Sequence, residues 1–235
     1  MPNRTVPLLF AVLGLFAGAR AVDHIVPAVE DGGARAALIA LYFTLSAAVT
    51  ITFAVLTARR PASVTPSRKP AAFIACAAAM VVGLPIEGPA SSASTSLVLT
   101  GDVIATLSCA WLLISVLALG TCFGVLPEAR GLVIRGPYRF IRHPVYLGEI
   151  GALTGLAISS SRPWAVPVVL AFIIAQSARM RMEEAALTSA FPEYRLYAAQ
   201  TGRLLPRLGG RAREQPDLRL APPSTSSVAV AAGRR

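Results

Sequence analysis

The chain has 235 residues, of which 54% are hydrophobic and only 14% charged, and its 22 Lys and Arg outweigh 12 Asp and Glu for a formal charge of +10. So apolar a chain leaves no soluble domain of useful size, and its basic residues sit in connectors beside apolar spans, where the cytoplasmic bias of Lys and Arg accounts for them without nucleic acid as a partner. Cys76, Cys109 and Cys122 match neither a disulfide framework nor a zinc site, and the two histidines, His24 and His143, belong to no cluster with metal-ligand spacing, which argues against a metal enzyme.

Six apolar segments predict an all-α, polytopic transmembrane bundle of about six spans. Residues 6–22 form the first, an uncleaved anchor or a secretory signal ending at Ala19-Arg20-Ala21. Asp23, Glu30, Asp31 and Gly32-Gly33 predict a short polar loop before the second span, residues 36–56. Arg59, Arg60, Arg68 and Lys69, interleaved with Pro61, Pro66 and Pro70, then predict a cytoplasmic connector that cannot continue a helix.

A third span is expected over residues 71–86, followed by an outward-facing loop without basic residues, and a fourth over residues 97–123. Asp102 lies roughly two turns inside the fourth. An ionisable group at depth is a functional candidate, although near the interface it can equally reach water or cap the helix entrance.

Residues 131–149, GLVIRGPYRFIRHPVYLGE, concentrate Arg135, Tyr138, Arg139, Arg142, His143 and Tyr146 in a chain otherwise poor in charge. Two short apolar segments follow, residues 145–159 and 164–178, and the connection Ser159-Ser160-Ser161-Arg162-Pro163 is short enough to make them an antiparallel hairpin. The hairpin therefore returns Arg179, Arg181, Glu183 and Glu184 to the membrane face that carries His143 and Tyr146. On the returning helix the spacings allow intrahelical Arg179–Glu183 and Arg181–Glu184 pairs. Pro144 suits a first helical turn, and the free N–H groups around Arg142 to Tyr146 suit a carboxylate or phosphate. From Arg203 onward, prolines and a serine run predict a flexible basic tail. The organisation expected is membrane helices over 1–123, a functional core over 124–208 and a tail over 209–235.

The order R-H-P-x-Y-x-G from Arg142, R-x-R-x-E-E from Arg179, F-x-E-Y-x-x-Y from Phe191 and R-x-L-P from Arg203 resembles the bacterial branch of the isoprenylcysteine carboxyl methyltransferase family, over residues 127–208. Phe191-Pro192-Glu193-Tyr194 is one residue shorter than the commoner F-G-x-x-Y form. The resemblance implies an S-adenosylmethionine-dependent methyltransferase embedded in the membrane, with a cofactor pocket on the cytoplasmic face beside the helical hairpin. It implies that Tyr138, Arg142, His143, Pro144, Tyr146, Leu147, Gly148 and Glu184 serve the cofactor. It also implies that Tyr194, Tyr197 and Arg203 close over the site, and that Arg179, Arg181 and Glu183 act in catalysis, one arginine orienting the methyl acceptor.

Methyl transfer from a sulfonium is an in-line displacement, so catalysis consists mainly of alignment and exclusion of water. A carboxylate acceptor, with a reference pKa of about 4, is already ionised and needs no base, only a guanidinium to orient it. A hydroxyl or amine would need one, and Glu183, Glu184 or His143 would be the candidates. The expected acceptor is a lipophilic small molecule or a prenylated tail, met among membrane lipids. Two other functions fit the sequence: an NADPH-dependent membrane sterol-type reductase, which also carries H-P-x-Y-x-G, and a non-catalytic membrane protein of the same architecture. Composition does not fix the oligomeric state.

Overall fold

The computed structural model describes residues 5–59, 93–122 and 131–207. The expected third span at 71–86, most of the basic connector before it and the tail from residue 208 lie outside the described residues.

Helices α1 (Thr5–Asp31) and α2 (Ala34–Arg59) pack as a hairpin. The polar loop expected between them is shorter than predicted, because α1 continues through Asp23 and Glu30 and only Gly32-Gly33 breaks it. His24 finds a place on that extended helix by stacking on Phe43 at 4.5 Å. Helix α3 (Thr95–Leu119) ends at Gly120, whose positive φ of 59° glycine adopts without strain because it has no Cβ. After two short 3-10 turns, Gly120–Cys122 and Gly136–Arg139, come α4 (Pro144–Ser160), α5 (Ala165–Ala190) and the short α6 (Tyr194–Gln200).

Three of these helices, Ala34–Arg59, Thr95–Cys122 with its terminal turn, and Ala165–Ala190, are long and apolar enough to cross a membrane. Helix α4, at 17 residues, reaches only about 25 Å against about 30 Å of hydrocarbon. The expected pair of short closing helices is corrected in α5: its 26 residues form one continuous helix of about 39 Å, so the polar segment after residue 178 is its last three turns. Ala, Met, Arg, Glu and Leu, which make up most of that segment, all propagate a helix well.

Helices surrounded by lipid gain little from the hydrophobic effect against one another and associate through close packing. Small residues supply it here. A Cβ on Gly148 would lie 2.8 Å from Leu112 Cβ, and one on Gly155 would lie 2.8 Å from Ala105 Cα. Gly101 meets the backbone of Gly155 and Ser159 from the opposite side. Helices α3 and α4 thus touch backbone to backbone along most of α4. Phe10, Phe53, Leu112, Val116, Tyr138 and Val145 form the main core, joining α1 and α2 to this pair. A smaller cluster of Leu153, Ala165 and Phe172 seats α5 on α4.

At the ends of α3 and α4 away from Pro144, Asp102 is buried rather than open to water. Its carboxylate accepts from Arg35 Nε at 3.1 Å and from the Ser159 hydroxyl at 2.5 Å, tying α2, α3 and α4 together.

Candidate functional site

At the Pro144 end, three separate segments meet. Pro144 takes the first position of α4, where its missing N–H costs nothing, and its carbonyl accepts from Trp111 Nε1 at 3.0 Å, which fixes the start of α4 against α3. Just before it, the chain pairs with the segment after α6. The Arg142 N–H donates to Gly202 O at 2.8 Å and the His143 N–H to Arg203 O at 3.0 Å, around a lone parallel bridge between Ile141 and Gly202. The Tyr197 hydroxyl donates to Tyr138 O at 2.6 Å, so α6 is pinned to the same stretch.

Glu184 lies at the centre. It accepts from Arg142 Nε at 2.9 Å and from Arg203 Nη2 at 2.5 Å, and its Oε1 is 3.2 Å from His143 Nε2. Arg142 also caps the end of α6, donating from Nη1 to Ala198 O at 2.6 Å and Thr201 O at 2.5 Å. The hydrogen bond to Glu184 holds the Arg203 guanidinium above its ordinary pKa.

Glu183 faces a different set. It accepts from the Tyr146 hydroxyl at 2.9 Å, and His143 Nδ1 is 3.9 Å away. Among the described residues no guanidinium pairs with it. The His143 ring sits edge-on to Tyr146 at 5.3 Å and thus lies between the two glutamates. Tyr194 is buried at 2% exposure, and its hydroxyl has no hydrogen-bond partner among the described residues. Burial, then the charge of Glu184, pushes that phenol well above its ordinary pKa.

The intrahelical pairs expected on α5 do not form. Arg179 lies over the Tyr146 ring at 5.0 Å, donates to Gln176 Oε1 at 2.8 Å and sits 3.9 Å from Glu149 Oε2. Arg181, two positions on and about 200° around the helix, is exposed and takes no part in the cluster. Gly148 also stands apart from the polar groups, since it packs on Leu112, and Leu147 contributes a backbone bond to His143 O at 3.1 Å. Tyr138 is buried nearby, its phenol held well above the ordinary range by burial and then by the charge of Glu183.

Two members of the network, Glu149 and Gln176, were not singled out in the sequence. Gln176 is fully buried and donates from Nε2 to Glu149 Oε2. A carboxylate and an amide inside otherwise apolar helices were the available signal.

The phospholipid methyltransferase family model matches residues 90–194, which contain α3, α4, α5 and the start of α6. That family belongs to the same group of membrane methyltransferases as the isoprenylcysteine carboxyl methyltransferases. The chain is 40% identical over 78 residues to the cobalt-zinc-cadmium resistance protein CzcN of Cupriavidus metallidurans, a match covering 33% of this chain and 36% of that protein. It is 38% identical over 78 residues to the nickel-cobalt-cadmium resistance protein NccN of Alcaligenes xylosoxydans xylosoxydans, covering 33% and 37% respectively. The chain therefore spans about a third of the length of these curated relatives. Family match and membrane-length helices together support an integral membrane methyltransferase.

Proposed function

We propose that this protein uses S-adenosylmethionine, taken from the cytoplasmic side, to methylate a carboxylate on a lipophilic, isoprenoid-like acceptor that enters from the bilayer. The observation that carries the reading is the disposition of the two adjacent glutamates. Glu184 is engaged by Arg142, His143 and Arg203, whereas among the described residues Glu183 meets a tyrosine hydroxyl and, at 3.9 Å, an imidazole.

The residues present fit such a cofactor. A cationic, donor-rich ligand suits a carboxylate that no guanidinium among the described residues pairs with, and the buried Tyr194 hydroxyl, without a partner among those residues, offers a further polar group. S-adenosylmethionine supplies an electrophilic methyl group on a positively charged sulfur. His143, Tyr146, Glu183 and Tyr194 would hold and orient it, while Arg142, Glu184 and Arg203 bind the chain after α6 over it and keep water out. Arg179 rather than the exposed Arg181 would orient the acceptor, since Arg179 lies over the Tyr146 ring and is itself largely buried. A guanidinium there can hold one carboxylate oxygen by a forked contact and leave the other to attack.

The test is methyl-ester formation from radiolabelled S-adenosylmethionine and N-acetyl-S-farnesylcysteine in detergent micelles. The expected result is turnover by the wild type and a loss of about tenfold or more in kcat/KM for Glu183→Gln and for Arg179→Ala, in line with removal of one charged contact. Wild-type rates in both variants would overturn the assignment of these residues.

A further inference from the structure

Arg179 is a long, flexible side chain, and a flexible guanidinium orients nothing unless its surroundings fix it. Its surroundings are specific. Gln176, one turn earlier on α5, is fully buried and uses both ends of its amide, accepting from Arg179 Nη1 at 2.8 Å and donating to Glu149 Oε2 across the α4–α5 contact. Glu149 Oε2 in turn lies 3.9 Å from Arg179 Nη1, closing a triangle of carboxylate, amide and guanidinium. The third constraint is the Tyr146 ring beneath the guanidinium, and the hydroxyl of the same ring is bonded to Glu183.

The triangle is distinct in depth from the Glu184 cluster. Glu149 lies five residues into α4 and Gln176 seven residues before Glu183 on α5, or about 8 and 10 Å along the two axes. It therefore sits further into the apolar part of the bundle, where an amide and a carboxylate are retained only if each is satisfied.

We propose that Glu149 and Gln176 are positioning residues that hold the Arg179 guanidinium over Tyr146, and that they thereby set affinity for the methyl acceptor far more than affinity for the cofactor. The inference rests on the methyltransferase reading given above. Neither residue hydrogen-bonds His143, Glu183 or Glu184 among the described residues, so their removal acts first through Arg179. The amide matters for its two unlike ends. Gln176→Leu removes both contacts, and Gln176→Glu keeps an acceptor for Arg179 but sets a second carboxylate against Glu149. Exchanging the pair, with Glu149→Gln and Gln176→Glu together, restores one carboxylate and one amide beside Arg179.

The experiment measures S-adenosylhomocysteine affinity by calorimetry and, in parallel, KM for N-acetyl-S-farnesylcysteine, on full-length protein in detergent. Gln176→Leu and Gln176→Glu are expected to raise the acceptor KM about tenfold or more, with S-adenosylhomocysteine affinity held within about threefold. The exchanged pair is expected to return the acceptor KM to within about threefold of wild type. A parallel fall in both affinities, an unchanged acceptor KM, or an exchanged pair no better than Gln176→Glu alone would overturn the proposal. So would wild-type protein that binds S-adenosylhomocysteine but makes no methyl ester from this acceptor. Wild-type protein that binds no S-adenosylhomocysteine would instead remove the methyltransferase reading itself.

Discussion

Arg142 and Glu184 stand 42 positions apart in sequence and 2.9 Å apart in space, and the guanidinium of the same arginine also caps the end of α6. One contact therefore joins the entrance of α4, the last turns of α5 and the closing segment. Because the pair is largely shielded, with side-chain exposures of 11% and 15%, loss of the carboxylate leaves a guanidinium short of its partner rather than one that returns to water.

Glu184→Ala should lower stability by about 1.5–3 kcal/mol, the range for hydrogen bonds to charged groups, and should raise amide exchange over residues 201–207. Arg203→Ala removes a partner whose side chain is 47% exposed and should cost under about 1 kcal/mol. Thermal unfolding in one detergent, with hydrogen exchange read by mass spectrometry, checks both. Equal effects of the two substitutions would contradict the ordering.

The helix pair that carries the site depends on glycine. Gly155→Leu would drive a side chain into the backbone of Gly101 and Ala105, and should cost about 3 kcal/mol or prevent folding. Gly33→Ala, where nothing lies within 4 Å of an added Cβ, is the control and should leave the melting temperature within a few degrees.

Tyr138, Tyr194 and Tyr197 all have phenol pKa values raised, in each case first by burial. A raised folded-state value means that the protonated phenol is favoured by the fold, so the associated stability is fully present below the unfolded value of about 10 and is lost as pH rises beyond it. Absorbance titration should show these three phenols still neutral where solvent-exposed tyrosine has ionised, with unfolding in stronger alkali. Three phenols titrating normally near pH 10 in folded protein would contradict their burial.

The convergence of Arg142 to Gly148 with Arg179 to Glu184 was legible in the sequence, because the short connection over residues 159–163 allows only an antiparallel return. The partners were not. Spacing on one helix suggests Arg179 with Glu183, but a crossing helix offers Glu183 the Tyr146 hydroxyl and offers Arg179 an aromatic face, and these contacts displace the local pairs. The length of α5 was hidden for a related reason: apolarity marks where a span ends, whereas good helix formers carry the helix on past it. Asp102 shows the same limit, since its partners Arg35 and Ser159 are 67 and 57 positions away. The close α3–α4 contact had a readable signal in the spacing of Gly148, Gly151 and Gly155, a small-residue pattern suited to helix contact in lipid.

The central claim, that the polar cluster at the start of α4 binds an S-adenosyl cofactor, is tested most directly by calorimetry on detergent-purified protein with S-adenosylmethionine, S-adenosylhomocysteine and NADPH, using His143→Ala alongside the wild type. Both adenosyl ligands are expected to bind the wild type, NADPH is expected not to, and His143→Ala is expected to weaken the adenosyl ligands about tenfold or more. Binding of NADPH alone, or no binding of any of the three to demonstrably folded protein, would contradict it.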